Sequence, residues 1–370
     1  MIIGVLKEIK EEEHRVAMTP DGVEVLAANG HRIRVERDAG AASGFEDQDY
    51  LRAGAEIAED PKKILEQAEM ILRVREPQAS EYELLRQDQI WFSFLHLAAS
   101  KELAQALIRA GTVCLAYETV QEPDGSLPIL TAMSEVAGPM AIQQGAKYLE
   151  LIHGGHGVLM GGVPGVDPGS VVIIGGGVVG VSAAKIACGL GAKVSLLEVD
   201  LDRLRYLSDV MPANCFLLKS SPPVIRDLIT RADVVIGCVL VPGSRAPILI
   251  TKDSLPTMKK GAVLVDVAID QGGCFETSQE TTHSDPTFVV DGVVHYAVSN
   301  MPGAVPKTSS KALTHASLPY VLELAEKGWT QAMSDNRAIR SGANVVRGRV
   351  TYEGVSRALG MEHYPIESVL

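Results

Sequence analysis

The sequence predicts an α/β protein built as two doubly wound domains with mostly parallel sheets. Three observations carry that prediction. Short apolar runs rich in β-branched residues alternate with segments of helical periodicity along most of the chain. Three glycines in the spacing G-x-G-x-x-G (Gly175, Gly177 and Gly180) stand between one such run and a helix. The length of 370 residues is enough for about two domains, each with its own core.

The first part of the chain reads as a βα series. Ile2–Leu6 is a strand, and Thr19-Pro20-Asp21 is an N-cap with proline at the first helical position, opening a helix that runs to Gly30. Arg32–Val35 is the next strand, followed by a Gly/Ala/Ser turn and short helices. Met70–Val74, Ile90–Leu95 and Val113–Tyr117 are further strands, with helices around 80–86 and 101–110 between them. In such sheets ligands bind outside the carboxyl ends of the strands. The residues there are polar: Lys7-Glu8, Arg75-Glu76, His96 and Glu118. Strands must end in something polar, so the arginine and the histidine are candidates on position alone.

Residues 131–152 form a long helix leading to a glycine-dense stretch, Gly154 to Gly169. That stretch reads as turns or a hairpin whose Val158, Leu159, Met160 and Val163 are expected to be buried. The strand Val171–Ile174 then runs into the glycine motif. The first glycine permits the tight turn, the second lets a pyrophosphate approach the backbone, and the third lets the helix pack on the strand. The pyrophosphate sits on the free N–H groups and positive end of that helix. Glu198 ends the next strand 23 residues after Gly175, where a carboxylate accepts from the ribose hydroxyls and repels a 2′-phosphate. The second domain is therefore a Rossmann dinucleotide-binding domain, with NAD favoured over NADP. Further strands are expected near 215–218, 234–239, 262–268 and 288–290, and a helix near 308–327. The last forty residues read as helical and rejoin the first domain. The boundaries are 1–130 with 306–370, and 131–305.

AVLVDVAID places Asp270 just past a buried strand, facing the cleft between the two domains. A helix cap or a solvated loop acid would explain it, but the flanking DVA and QGG supply no other reason for a carboxylate, and a site role is preferred.

Composition sets the outer limits. The net charge is −12, and lysines and arginines are scattered, so neither nucleic acid nor an anionic membrane has electrostatic support as a partner. No run approaches the length of a membrane helix and no signal peptide is read, which points to a soluble, cytoplasmic protein. The five cysteines (114, 188, 215, 238 and 274) are widely spaced, mostly in apolar runs, and read as buried free thiols. No metal-ligand constellation is read.

Several longer motifs then occur in order: GVLKEIKEEEHRVAMTP, VREP, FLHLAAS, AYETV, GGVPGVDPG, VLVPGSRAPIL, VDVAIDQGGCFETS and HYAVSNMPGAVP. Through them the chain resembles the alanine dehydrogenases, a family that shares its fold with the NAD-binding component of proton-translocating transhydrogenases. The resemblance implies reversible oxidative deamination of L-alanine by NAD to pyruvate and ammonium, in a homohexamer. It also implies that Arg15 binds the substrate carboxylate, that His96 is the acid–base group, and that Asp270 is its partner. Cofactor contacts are implied for Ser134, Glu198, Arg203, Ser220, Val239, Leu240, Val267 to Asp270, and Val298 to Met301, Asn300 included.

Three positions depart from the family. Arg75 stands where it usually has lysine, and Glu198 where it has aspartate. Lys327 stands where metal-carrying members have a histidine. A transhydrogenase component, a dehydrogenase for another small L-amino acid, and a silent NAD-binding regulator are the alternatives.

Overall fold

The computed structural model describes residues 1–239 and 246–370. The strands in chain order are β1 (Ile2–Val5), β2 (Arg32–Glu36), β3 (Glu56–Ala58), β4 (Met70–Leu72), β5 (Ile90–Ser93), β6 (Val113–Ala116), β7 (Ser170–Ile174), β8 (Lys193–Glu198), β9 (Cys215–Lys219), β10 (Val234–Gly237), β11 (Val263–Asp266), β12 (Thr287–Val290), β13 (Val293–Tyr296), β14 (Ala343–Val346) and β15 (Arg349–Val350). The helices are α1 (Pro20–Ala28), α2 (Asp47–Arg52), α3 (Pro61–Gln67), α4 (Lys101–Ala110), α5 (Pro128–Tyr148), α6 (Val178–Gly189), α7 (Leu201–Val210), α8 (Pro222–Ile229), α9 (Pro306–Asp335), α10 (Arg337–Gly342) and α11 (Glu353–Leu359). The chain divides into two compact units, Met1–Met133 with Val305–Leu370, and Ser134–Ala304.

The first unit holds an eight-stranded sheet in the order β15-β14-β6-β5-β4-β1-β2-β3. Strands β1 to β6 run parallel, while β14 pairs antiparallel with both β6 and β15. Side chains sort by the period of two that a pleated strand imposes. Ile3, Val5, Met70, Leu72, Ile90, Phe92, Val113 and Leu115 face the core shared with α1 and α9. Ile71, Trp91 and Cys114 face the opposite core, against α3 and α4. Both faces of β1, β4, β5 and β6 are covered, so these strands read as nearly unbroken apolar runs.

The second unit holds a seven-stranded sheet in the order β12-β13-β11-β10-β7-β8-β9. All its pairs are parallel except β12 with β13. The same alternation puts Val171, Ile173, Val234 and Ile236 in one core with α6, and Val172, Ile174 and Val235 in the other with α8.

Three readings of the sequence need correction. The last forty residues are not all helical: Ala343–Val346 and Arg349–Val350 are strands. A β-branched pair such as Val345–Val346 finds a free sheet edge at β6, and tertiary pairing decides its state. The Gly154–Gly169 stretch buries Met160 but leaves Leu159 and Val163 exposed, the latter in an isolated bridge with Val166. Thr19 stands at the N-cap of α1, yet its side chain makes no capping bond; its backbone carbonyl accepts from Gly22 and Val23.

At the carboxyl end of the first sheet lies a buried charge cluster. Arg73, just past β4, is 1% exposed and pairs with Glu8 from the β1 loop and with Glu81. Burial pushes the Glu8 carboxyl up against the pull of Arg73, and its Oε1 accepts from the Val74 N–H at 2.7 Å. Removing one partner of such a cluster strands the other charges in the interior. Arg73→Ala is therefore expected to lose about 3–5 kcal/mol, read as a lower urea midpoint. Gly180 is a second tight point, since a Cβ there would lie 1.9 Å from the Gly175 carbonyl oxygen. Gly180→Ala must push α6 off the β7 turn, costing about 1–3 kcal/mol by overpacking in the same measurement.

Candidate functional site

Because the strands that bear them are parallel, the candidate residues of each unit fall at one edge of its sheet. In the first unit these are the loop after β1, which carries Arg15, the residues after β4, which carry Arg75, and His96 after β5. The order of strands reverses between β1 and β4, and there an α/β sheet opens a crevice for a ligand.

Arg15 is 2% exposed and held by Glu13. Its Nε donates to Glu13 Oε1 at 2.7 Å and its Nη2 to Oε2 at 2.5 Å, while Nη1 lies 3.3 Å from the Met133 sulfur. Burial alone would raise the Glu13 carboxyl, but the Arg15 charge and hydrogen bonds overrule it and hold the carboxyl down at about 2. The pair thus stays ionised at working pH. The stability it contributes is complete above the unfolded carboxylate range and is lost as pH falls towards 2. A cavity of about 250 Å³ opens beside it, with Lys7, Lys10, Glu13, His14 and Arg15 in its wall.

Arg75 Nε lies 3.3 Å from Glu76 Oε2, without hydrogen-bond alignment. Glu76 also receives Lys10 Nζ at 2.6 Å. Burial disfavours the Glu76 charge, and Arg75 and Lys10 more than offset it, so its carboxyl lies below the usual range.

His96 has left-handed backbone angles (φ 46°, ψ 37°), uncommon for a residue with a side chain. Glu118, from the end of β6, holds that turn by accepting from the His96 N–H at 2.7 Å and the Leu95 N–H at 3.2 Å. The imidazole is exposed and stacks on Phe94, ring centroids 6.0 Å apart. A fixed backbone with an accessible ring suits proton transfer to a bound molecule.

In the second unit Gly175 follows β7 with φ 118°, a value glycine adopts readily. Gly177 is the N-cap of α6 and makes no side-chain cap, so the first N–H groups of the helix await a partner. An added Cβ at Gly177 would meet nothing within 4 Å, whereas at Gly180 it would strike Gly175. The turn is therefore packed where the helix needs closeness and open where a pyrophosphate would lie, which fits a dinucleotide.

Glu198 ends β8. Its Oε2 accepts from Gly176 N–H at 2.9 Å, and its Oε1 from Val199 and Asp200 N–H at 2.6 and 3.0 Å. Arg203 Nε donates to the Gly176 carbonyl at 2.9 Å, and the Ser220 N–H to the Glu198 carbonyl at 2.8 Å. Val239 follows β10, Val267 and the exposed Asp270 follow β11, and Asn300 follows β13 with φ 57°. Met301 is 3% exposed and turns its side chain into the core. Ser134 is half-buried on α5, and Leu240 lies outside the described residues. Lys327 pairs at 2.9 Å with Glu323 and with Asp335.

Sequence reasoning overlooked the supports of these groups. Glu8 and Glu118 could be seen as polar strand ends, though what they hold could not. Arg73 sits within the apolar run Met70–Val74, where nothing in the sequence sets it apart. Glu13 was one acid among several in EEEHR.

Two family models cover most of the chain: alanine dehydrogenase/PNT, N-terminal domain, over residues 4–137, and alanine dehydrogenase/PNT, C-terminal domain, over residues 141–353. The chain is 54% identical over its full length to an alanine dehydrogenase of Bacillus subtilis, covering 98% of that protein. It is 50% identical over its full length to one of Methanococcus maripaludis, covering all of it. A solved L-alanine dehydrogenase matches with a TM-score of 0.94 at 48% identity, over 97% of this chain and 99% of that one. A transhydrogenase of Sinorhizobium meliloti shares the fold, with a TM-score of 0.80 at 24% identity over 95% of this chain and 99% of its own. The family models and the full-length identity agree, and the chain belongs to the alanine dehydrogenase/PNT family.

Proposed function

We propose that this protein is an NAD-dependent enzyme that interconverts L-alanine and pyruvate with ammonium. One observation carries the reading: the dinucleotide edge of one unit and the Arg15–Arg75–His96 edge of the other occur in a chain half identical, end to end, to alanine dehydrogenases. In this reading Met1–Met133 with Val305–Leu370 is the substrate and catalytic domain, and Ser134–Ala304 binds NAD.

A dinucleotide held by these residues would supply the acceptor for the hydride of the substrate α-carbon. The chain's own groups do the rest. Arg15, its plane fixed by Glu13, takes the substrate carboxylate. Arg75 keeps a positive charge near the 2-oxo group; as a planar fork wider than an ammonium it trims the pocket towards small substrates. His96 removes a proton from the water that attacks the iminium carbon and returns one as ammonia leaves, work for which histidine's titration range is suited. Asp270 offsets the iminium charge. Gly175, Gly177, Gly180, Glu198, Arg203, Ser220, Val239, Val267, Ser134 and Asn300 form the dinucleotide site, with Met301 contributing its backbone.

The protein is further read as a cytoplasmic homohexamer. Leu151, Ile152, Leu159, Val163 and Val166 leave an apolar surface open on the second unit, and surfaces of this kind are commonly covered by assembly.

The decisive experiment is a panel of 2-oxo acids with ammonium and NADH, in the absence of any partner protein. Pyruvate should be the best substrate, with glyoxylate tolerated and branched acids poor. No oxidation of NADH with pyruvate and ammonium would point to a transhydrogenase component. His96→Ala should lower turnover by about 10²–10⁴-fold while NADH binding, followed by fluorescence, stays near normal. Glu198→Ser should narrow the preference for NAD over NADP, raising NADP use and weakening NAD. Equal use of both cofactors by the native enzyme would contradict the ribose role.

A further inference from the structure

Asp266, the last residue of β11, is 1% exposed and the mechanism above does not use it. Its carboxylate accepts from five donors. Oδ1 takes the Ala268 N–H at 3.1 Å and the Cys274 thiol at 3.3 Å. Oδ2 takes the Cys274 N–H at 2.9 Å, the Phe275 N–H at 3.3 Å and the Ser278 hydroxyl at 2.5 Å. Burial, and then the Asp266 charge, push the Cys274 thiol well up, so it remains a donor.

All five donors belong to one loop, and Asp270 stands exposed at its middle, in the helical turn Ile269–Gln271. That turn is bounded by Gly272 and Gly273, with φ of 88° and 75°. A Cβ on Gly273 would lie 2.9 Å from Asp266 Oδ2, so the loop is wound closely on the carboxylate. The Gln271 and Gly273 N–H groups donate to the Ala268 carbonyl and the Gly272 N–H to the Ile269 carbonyl, so the turn itself is closed by its backbone, while its flanks need a partner outside it. Both its ends, at 268 and at 274–278, are tied to the same buried anion. Charge-assisted bonds of this kind are the stronger class.

We propose that Asp266 is a positioning residue for Asp270: its carboxylate gathers both ends of the loop and so fixes where the Asp270 carboxylate stands. The inference rests on the role given to Asp270 above. Asparagine at 266 keeps the size but turns one acceptor into an NH₂ facing N–H groups, which opens the loop.

The test is a double-mutant cycle on alanine–pyruvate turnover, with slow variants followed in single turnovers with enzyme in excess over NADH. In the native background Asp266→Asn should lower the rate about 10²-fold, the cost of a misplacement of about 1 Å. In an Asp270→Asn background it should change the rate less than about threefold, because the group it acts through is gone. Ser278→Ala removes one donor and keeps the anion. It should give a smaller loss that also vanishes in the Asp270→Asn background, and it carries the cycle alone if Asp266→Asn does not fold. Equal losses in both backgrounds, or native turnover in Asp266→Asn and Ser278→Ala, would overturn the proposal. Native turnover in Asp270→Asn alone would instead overturn the role of Asp270, and the inference with it.

Discussion

Every candidate group in this protein depends on the direction of the strands. A parallel strand must be followed by a crossover that returns the chain to the same starting edge, so successive strands deliver their last residues to one side. In the first unit that side collects the loops after β1, β4, β5 and β6. In the second it collects the glycine turn, Glu198, Ser220, Val239, Asp270 and Asn300, which are far apart in sequence. The antiparallel strands β12, β14 and β15 lie towards the sheet margins and carry none of these residues. Burial on both faces makes the central strands rigid, because their side chains alternate into two cores.

On this frame buried or half-buried carboxylates hold the candidate groups and the turns that carry them. Glu13 grips Arg15, Glu118 holds the left-handed turn of His96, Glu198 ties the glycine turn to β8, and Asp266 winds up the loop of Asp270. Three of these four accept mainly from backbone N–H groups, which strand ends and tight turns leave without ladder partners. A short acidic side chain beside a strand end satisfies several of them at once. The same pattern explains why so many acids occur next to candidate residues without being candidates themselves.

Much of this was legible in the sequence. Periodicity of two against 3.6 separated strands from helices, and the glycine spacing with Glu198 announced the nucleotide turn. The order of long motifs pointed to the family. These signals are local: they depend on backbone preferences within one strand–turn–helix unit, where composition and spacing are enough. Polar strand ends marked Arg75 and His96 for the same reason, since a strand's end is visible in its own residues.

Tertiary structure decided what local signals could not. The antiparallel return of β14 to the edge at β6 depends on a free edge more than two hundred residues earlier in the chain. The pairing of Arg73 with Glu8, and of His96 with Glu118, joins residues brought together by sheet order. Leu159 and Val163 are apolar and lie in solvent because their hairpin-like turn finds no core to enter. The sequence marked the candidate residues and the family. The fold determined that Glu118 holds the His96 turn and Glu198 the glycine turn, because those bonds cross between strands whose proximity no local pattern encodes.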